Sequence, residues 1–253
     1  MKTIAIANKK GGVGKTTSTL NIGAGLQRLE HKVLLIDLDS QANLTTGLGF
    51  EKHTQNPSIY EVLADEADVE EALLDREGLF LLPSSKKLQA ADKEFLSEPD
   101  WQFMLLEALE SIQDFFHYAI IDCPPHLGFL TYNAIAAADE VFIPVQAEYF
   151  ALEGLNDLMG AVNQIKKRIN PKVVISGLFA TRYSSNKVLN RQVVEAMIEQ
   201  FPDLVFETRI RENLALAEAP SHGKSIFEYM PYSNGAQDYM SLCNEVVNRN
   251  GSK

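Results

Sequence analysis

The 253-residue sequence has few cysteines and no long apolar run. Its two cysteines, Cys123 and Cys243, are too few for a disulfide framework and favour a reducing, cytoplasmic compartment. No apolar run approaches the ~18 residues that a membrane span needs. Residues 9–12 are cationic and glycine-rich where a signal peptide would continue its apolar core, so we expect no secretion.

The excess of acidic side chains is confined to one part of the chain. The net charge of −11 argues against a uniformly basic nucleic-acid coat protein. Residues 51–115 contain 16 acidic and 5 basic side chains, whereas the rest of the chain contains 18 of each. Residues 160–225 contain 10 basic and 6 acidic side chains. This pattern fits either one basic face or an uneven scatter of solvated charge.

Short apolar runs alternate with longer amphipathic stretches along the chain. Continuous apolar runs are typical of strands that helices cover on both faces, so the rhythm predicts a doubly wound α/β fold with a mostly parallel sheet. No linker, repeat or low-complexity tract interrupts it, and we predict one domain over 1–253 with an acidic, mostly helical segment at 51–115. The predicted strands are 3–7, 33–36, 79–82, 118–121, 141–145 and 173–178, and the predicted helices are 15–28, 101–115, 151–168, 189–200 and 235–248.

The strongest motif follows the first predicted strand. Residues 8–17 read Asn-Lys-Lys-Gly-Gly-Val-Gly-Lys-Thr-Thr and lead directly into a predicted helix. Glycines let backbone N–H groups turn towards a phosphate, and the helix N-terminus adds positive potential. Lys15 can reach the β- and γ-phosphates of a nucleotide, and the Thr16 hydroxyl can ligate Mg²⁺. The motif therefore predicts a nucleotide-binding loop.

This loop departs from both generic glycine patterns. Lys9 stands where the strict P-loop has glycine, and Thr17 occupies the third glycine position of the dinucleotide pattern. A deviant form, Lys-Gly-Gly-x-Gly-Lys-Thr, fits instead, with the additional Lys10 opening the loop. The candidate nucleotide-binding residues of the loop are Lys10, Gly11, Gly12, Val13, Gly14, Lys15, Thr16 and Thr17.

Two further predicted strands end in carboxylates, at Asp37 with Asp39 and at Asp122. Ligands of open α/β sheets bind at the carboxyl ends of strands. Side-chain alternation puts Asp37 and Asp39 on the same side of their strand, so one can orient the other or hold a water while its partner faces Mg²⁺. Asp122 is expected to reach Mg²⁺ through a coordinated water. The candidate metal residues are Thr16, Asp39 and Asp122.

With these segments, the chain resembles the ParA/MinD group of deviant Walker-type ATPases, and within it the Soj-type partition ATPases. The resemblance covers nearly the whole chain through the stretches KKGGVGKTT, VLLIDLDSQANLTTGLG, YAIIDCPPHLGFLTYNA, IPVQAEYFALEGL and LALAEAPSHGKS. It implies a P-loop fold, ATP and Mg²⁺ as cofactors, weak Mg²⁺-dependent hydrolysis of ATP to ADP and phosphate, and an ATP-dependent homodimer. It also implies a ParB-like partner that stimulates hydrolysis, and association with the nucleoid when ATP is bound.

The resemblance assigns roles to individual residues. Lys10 would reach the nucleotide of the partner subunit, and Asp39 would position the hydrolytic water, so Lys10, Lys15 and Asp39 are the candidate catalytic residues. Gly11 and Gly12 would line the dimer-facing side of the loop. The adenine pocket would lie near Arg211 and Asn213, although relatives often carry proline where Arg211 stands.

The family also binds DNA without sequence preference, and here the sequence departs from the pattern. Asn186 and Ala215 occupy two positions where relatives offer arginine. Because phosphate binding depends on charge density more than on exact placement, neighbouring cations can substitute. The candidate DNA-binding residues are Arg182, Lys187, Arg191, Arg209 and Arg211.

Three alternatives share the nucleotide motif. A ParA-like ATPase that positions protein cargo would keep every nucleotide residue. A MinD-like division regulator would end in a basic amphipathic helix, whereas residues 239–249 contain one cation, so we expect no membrane attachment. An iron–sulfur reductase would need suitably placed cysteines, and Cys123 and Cys243 are better explained as buried apolar residues. No helix-turn-helix segment precedes the loop, so a dedicated operator-binding domain is not expected.

Overall fold

A computed structural model contains a seven-stranded sheet in the residues that it describes, which are 1–148 and 154–251. The strand order is β3-β4-β2-β5-β1-β6-β7, and every neighbouring pair is parallel except β3 with β4. The strands are β1 (Lys2–Ile6), β2 (Val33–Asp37), β3 (Leu74–Arg76), β4 (Leu79–Leu82), β5 (Tyr118–Asp122), β6 (Glu140–Gln146) and β7 (Val174–Thr181).

Helices connect and cover the strands. The α-helices in the described ranges are α1 (Lys15–Arg28), α2 (Asn43–Gly47), α3 (Ile59–Leu63), α4 (Val69–Ala72), α5 (Ala91–Phe95), α6 (Met104–Ala108), α7 (Phe129–Ala137), α8 (Leu155–Arg168), α9 (Val188–Gln200), α10 (Leu214–Glu218), α11 (Ile226–Tyr229) and α12 (Asn234–Gly251). Short 3₁₀ helices lie at Lys86–Ala90, Trp101–Phe103, Glu110–Ile112 and Ala219–His222.

Strand side chains alternate between two buried clusters, one on each face of the sheet. Leu34 and Ile36 of β2 pack with residues of α7, α8 and α9, whereas Val33 and Leu35 pack with residues of α1, α11 and α12. All five residues of β2 are buried, which explains why its sequence is apolar without alternation. The doubly wound, mostly parallel α/β fold is confirmed.

The six predicted strands are present, and their ends lie within three residues of the predicted ends. The edge strand β3 escaped the sequence analysis because it is only three residues long. It forms an antiparallel hairpin with β4 through Glu77 and Gly78, which have φ angles of 51° and 85°. Positive φ at both turn residues is the geometry of a two-residue hairpin, and the Glu-Gly pair was its sequence signal.

The prediction of one helix over 101–115 was wrong, because the chain is broken there into two 3₁₀ turns and the short α6. A continuous helix would join the Leu105 N–H to the Trp101 carbonyl. Instead the Asn133 side chain stands between them, accepting from Leu105 N at 3.0 Å and donating to Trp101 O at 2.9 Å. Asn133 belongs to α7, so this interruption depends on tertiary packing that local periodicity does not report.

The other predicted helices correspond to α1, α8, α9 and α12. In the predicted helix 151–168, residues 151–153 lie outside the described residues, and α8 begins at Leu155. Both cysteines are buried and free, as the sequence analysis expected. Within the described ranges, every helix is too short or too polar to cross a membrane. The acidic segment 51–115 contributes β3 and β4 to the sheet as well as helices α3 to α6.

Candidate functional site

The predicted phosphate loop connects the carboxyl end of β1 to the N-terminus of α1. Gly12 and Gly14 have φ angles of 76° and 90°, which glycine adopts without steric cost. A Cβ atom on Gly12 would meet no described atom within 4 Å, so the loop faces open space. The Thr181 hydroxyl of β7 donates to the Val13 carbonyl at 2.8 Å and holds the loop against the sheet. The loop is therefore shaped, and left accessible, as an anion cradle.

Lys15 lies at the base of this cradle. Its Nζ donates to the Lys10 carbonyl at 3.2 Å, which folds the side chain back across the loop. Burial lowers the pKa of the Lys15 ammonium, and the nearby Asp122 carboxylate partly opposes that shift. A phosphate placed in the loop would supply the counter-charge that the partly buried ammonium needs.

Thr16 and Asp122 meet where the sequence analysis placed the metal. The Thr16 hydroxyl donates to Asp122 Oδ2 at 2.6 Å, and the Asp122 side chain is fully buried. Asp122 Oδ1 has no hydrogen-bond partner among the described residues. A buried carboxylate oxygen without a partner is costly, and a hydroxyl beside a carboxylate is a donor set that Mg²⁺ accepts together with nucleotide phosphates. These residues therefore fit a magnesium ion.

Asp37 and Asp39 are separated by their surroundings. Asp37 ends β2 and is fully buried, whereas Asp39 lies beyond the strand and is partly exposed. Asp37 Oδ2 accepts from both the backbone N–H and the hydroxyl of Thr45 at 2.8 Å. Asp39 Oδ1 accepts from the Gln41 N–H at 2.9 Å. Asp37 thus holds the backbone, while Asp39 is the carboxylate nearer to solvent.

The buried carboxylates carry an electrostatic cost that a cation would remove. Burial raises the pKa of Asp37 to about 6, although the hydrogen bonds from Thr45 oppose the shift. Burial and the neighbouring Asp37 carboxylate raise the pKa of Asp122 well above its usual value. The two residues are register partners on the parallel strands β2 and β5. A divalent ion beside them would favour the charged carboxylates over the protonated ones.

Lys9 and Lys10 at the start of the loop form ion pairs with carboxylates that follow β6 in the sequence. Lys10 Nζ lies 3.6 Å from Glu148 Oε2, and Lys9 Nζ lies 2.8 Å from Asp157 Oδ2. Both pairs are largely exposed to solvent. The Lys10 side chain is therefore partly exposed to solvent and directed to Glu148.

A cavity of about 430 Å³ adjoins the phosphate loop, a volume suited to a small organic ligand. Gly12, Gly14 and Thr17 form its loop side, and the candidate adenine residues Arg211 and Asn213 lie opposite. The Asn213 side chain accepts from Ala215 N at 2.8 Å and caps α10. The other lining residues are Thr181, Arg182, Ile210, Glu212, Leu214, Leu216, Ala217 and Tyr239.

The five candidate DNA-binding cations are all exposed and lie on or beside two neighbouring segments, 182–191 and 209–211. Tyr183 N donates to Ile210 O at 3.0 Å, which places the segments side by side. Several of the cations already have partners. Lys187 pairs with Glu212 at 2.7 Å, and Arg211 pairs with Asp238 at 2.6 Å. The cations are brought together, but not as a uniformly free patch.

Two other cations of this group contact neutral groups. Arg191 donates to the Ser185 carbonyl at 2.6 Å, and Arg209 lies over the Tyr183 ring. Of the two positions where relatives have arginine, Asn186 is exposed and Ala215 is buried. A side chain at position 215 would therefore need a different local packing to reach DNA.

Sequence reasoning missed the buried polar residues behind the loop. Ser84 contacts the Asp39 carbonyl, Thr45 contacts Asp37 and Ser84, and Tyr239 lines the cavity. Thr45 lies in the quoted stretch LTTGLG, so its position near Asp39 was a usable signal. Ser84 follows β4, far away in the sequence, and gave no such signal.

The fold and the loop define a P-loop nucleotide-binding protein of the doubly wound class. Residues 1–175 match the family AAA_31, described as an AAA domain. The chain is 44% identical over 248 residues to the sporulation initiation inhibitor protein Soj of Bacillus subtilis, covering 97% of this chain and 98% of that protein. It is 41% identical to the chromosome-partitioning ATPase Soj of Treponema pallidum, covering 100% and 99% of the two chains.

A solved structure has the same fold and contains a bound nucleotide analog. Cobyrinic acid a,c-diamide synthase from Mycobacterium smegmatis, with bound ATP analog and magnesium, has a TM-score of 0.89 and 30% identity, covering 100% of this chain and 96% of that one. The protein belongs to the Soj/ParA family of chromosome-partitioning ATPases.

Proposed function

We propose that the protein is an ATP-dependent partition ATPase. Binding of ATP joins two copies into a sandwich dimer, and the dimer associates with DNA without sequence preference. A ParB-like, centromere-binding partner stimulates hydrolysis, and the products release the DNA. The protein is cytoplasmic and associates with the nucleoid in its ATP state. Nucleotide and magnesium in a similar solved structure, and the name of a partition ATPase among the relatives, support this proposal.

Each end of the nucleotide has matching residues. Gly11 to Thr17 would cradle the phosphates, with Lys15 as counter-charge, and Thr16 with Asp122 would hold Mg²⁺. Bound Mg²⁺ would neutralise phosphate charge in the transition state. Asp39, the carboxylate nearer to solvent, would orient the attacking water, and it would be one of the residues that hold the ion. The cavity beside Arg211 and Asn213 receives adenine.

Dimerisation uses the exposed side of the loop. Lys10 is at the surface in a pair with Glu148 that solvent can readily replace, so it is free to exchange Glu148 for a phosphate of the facing subunit. Open space above Gly11 and Gly12 allows close approach of a second loop. A side chain on either glycine would occupy the space that this approach needs.

One structural observation connects the nucleotide site with the candidate DNA-binding residues. Arg182 and Arg211 line the same cavity as Gly12 and Gly14, so two candidate DNA contacts border the nucleotide site itself. A nucleotide in that cavity changes the charge and the packing next to these cations. Binding of ATP can therefore alter how the basic segments are presented.

A mobility-shift assay with a duplex of unrelated sequence tests the proposal. Wild-type protein is expected to retard the duplex with Mg-ATP, and not with ADP or without nucleotide, and increasing salt should remove the shift. Lys15→Ala serves as the control that cannot respond to ATP. Protein that binds and hydrolyses ATP without any shift at low salt would contradict the DNA step and favour positioning of a protein cargo. Attachment to lipid vesicles with ATP would favour the MinD-like alternative.

A further inference from the structure

We propose that Ser84 and Thr45 are positioning residues for the hydrolysis of ATP, because they fix the backbone that carries Asp39. The inference rests on the proposed function and adds two residues to it. Neither residue would touch the nucleotide. Both act through a buried hydrogen-bond network between the end of β4 and the segment 38–42.

Ser84 contacts Asp39 directly. The Ser84 hydroxyl donates to the Asp39 carbonyl at 2.6 Å, and the Ser84 N–H donates to the Thr45 hydroxyl oxygen at 3.1 Å. Ser84 and Thr45 are both fully buried. Because buried polar groups lose water, hydrogen bonds in such a place constrain their partners strongly.

Thr45 connects this contact to the end of β2. Its N–H and its hydroxyl both donate to Asp37 Oδ2 at 2.8 Å. Asp37 Oδ1 in turn accepts from the Asp39 N–H at 3.2 Å. The backbone of Asp39 is therefore held at its nitrogen by Asp37 and at its carbonyl by Ser84.

This double attachment matters because the segment after β2 has no regular structure until α2. Ala42, at the start of α2, has a φ of 50°, a left-handed conformation that alanine rarely adopts. Its N–H donates to the Asp39 carbonyl at 2.8 Å, the same oxygen that Ser84 contacts. Without the Ser84 hydroxyl, the Asp39 carbonyl would accept a hydrogen bond, among the described residues, only from Ala42 N, within the strained turn. A displacement of about 1 Å in a water-positioning group can reduce a rate by about 100-fold.

Four substitutions separate positioning from general stability. Ser84→Ala removes the contact with Asp39, and Thr45→Val removes the hydroxyl at nearly constant shape. Thr45→Ser keeps the hydroxyl and loses only a methyl group. Ser85→Ala is the matched control, since the Ser85 hydroxyl accepts from Lys87 N at 3.1 Å and caps a 3₁₀ helix without contacting Asp39.

Steady-state hydrolysis gives the first measurement. Ser84→Ala should lower kcat by about 3- to 10-fold, the worth of one buried hydrogen bond, and Thr45→Val by about 10-fold or more. The KM for Mg-ATP should stay within about two-fold of wild type, because these residues do not bind the nucleotide. Thr45→Ser and Ser85→Ala should retain wild-type kcat. Equal losses in Ser84→Ala and Ser85→Ala, or a rise in KM alone, would overturn the proposal.

Hydrogen exchange of the nucleotide-free protein gives a measurement that needs no turnover. The amides of residues 38–42 should exchange about 3- to 10-fold faster in Ser84→Ala than in wild type, and at the wild-type rate in Ser85→Ala. Unchanged exchange in Ser84→Ala would refute the positioning role whatever the activity. Wild-type protein without ATP hydrolysis would instead refute the proposed function, while the exchange result still decides whether Ser84 holds Asp39.

Discussion

The phosphate end of the molecule and the basic segments beside it are organised differently. At the phosphate end, α1 and the ends of β1, β2 and β5 deliver a lysine, a threonine and carboxylates within hydrogen-bonding reach, and a buried Asp122 oxygen has no described partner. In the basic segments, Lys187 and Arg211 are exposed and already paired with Glu212 and Asp238. One region contains buried carboxylates whose charge a cation would balance, whereas the other neutralises part of its own charge.

This difference shows where each kind of interaction gets its strength. A buried site binds its ligand tightly through exact placement, because desolvated groups interact strongly and cannot form hydrogen bonds with water instead. A DNA-binding surface gains from summed charge in solvent, and it tolerates cations that exchange partners. Substitutions should therefore have large, residue-specific effects in the first region and small, additive effects in the second.

The largest expected effect is at Lys15. Lys15→Ala removes the ammonium from the base of the loop and should weaken Mg-ATP binding by at least about 100-fold, measured by calorimetry. Lys9→Ala is the matched control, because Lys9 lies in the same loop but forms an exposed pair with Asp157. It should bind within about two-fold of wild type. Similar losses in both variants would mean that general loop charge, and not the placement of Lys15, binds the phosphates.

The next effect is a pH dependence of stability at Asp37. Its pKa in the folded protein is raised to about 6 by burial, above the usual value of 3.8, so the folded state holds this proton more tightly than the unfolded state. The stabilisation is complete below about pH 4 and is lost as the pH rises through about 6. Relative to Asp37→Asn, nucleotide-free wild type should lose up to about 3 kcal/mol over this window, measured by urea unfolding. Parallel curves for the two proteins would contradict this electrostatic cost.

The smallest effects are expected in the basic segments. The double substitution of Arg182 and Arg191 by alanine should weaken ATP-dependent DNA binding by about 10-fold and reduce the salt slope by about two. Lys166 and Lys167 are exposed in the last turn of α8, and replacing both removes the same amount of charge, so they serve as the control. Their replacement by alanine should leave binding unchanged. Equal losses in the two double variants would mean that net charge alone, and not this surface, determines binding.

The sequence predicted those parts of the fold and site that local patterns encode. The phosphate loop, the strands and the carboxylates that follow them depend on spacing within about ten residues, and the structure places the Thr16 hydroxyl beside the Asp122 carboxylate. Contacts between distant segments that no motif marks could not be predicted in this way. Asn133 breaks the helix predicted at 101–115, and Ser84 reaches Asp39 from the end of β4. Both depend on how neighbouring elements pack.

Charge in the sequence was equally hard to interpret without partners. The sequence identified the candidate cations. The pairing of Lys187 with Glu212 and of Arg211 with Asp238, however, depends on the fold. The acidic segment 51–115 also gave little indication that it supplies Ser84 to the nucleotide end. The sequence shows which ionic groups the chain has. The fold determines which of them remain available to bind DNA.

The central claim is that ATP in this site joins two subunits and that Asp39 is needed only for the later hydrolysis. Light scattering of Asp39→Ala with saturating Mg-ATP or ADP tests it most directly, with Asp39→Ala/Lys10→Ala as the control that binds ATP but cannot close the sandwich. We expect a stable species of twice the 28.1 kDa chain mass for Asp39→Ala with ATP, and single chains with ADP and for the control. Single chains of Asp39→Ala in saturating Mg-ATP, under conditions where wild type dimerises, would contradict it.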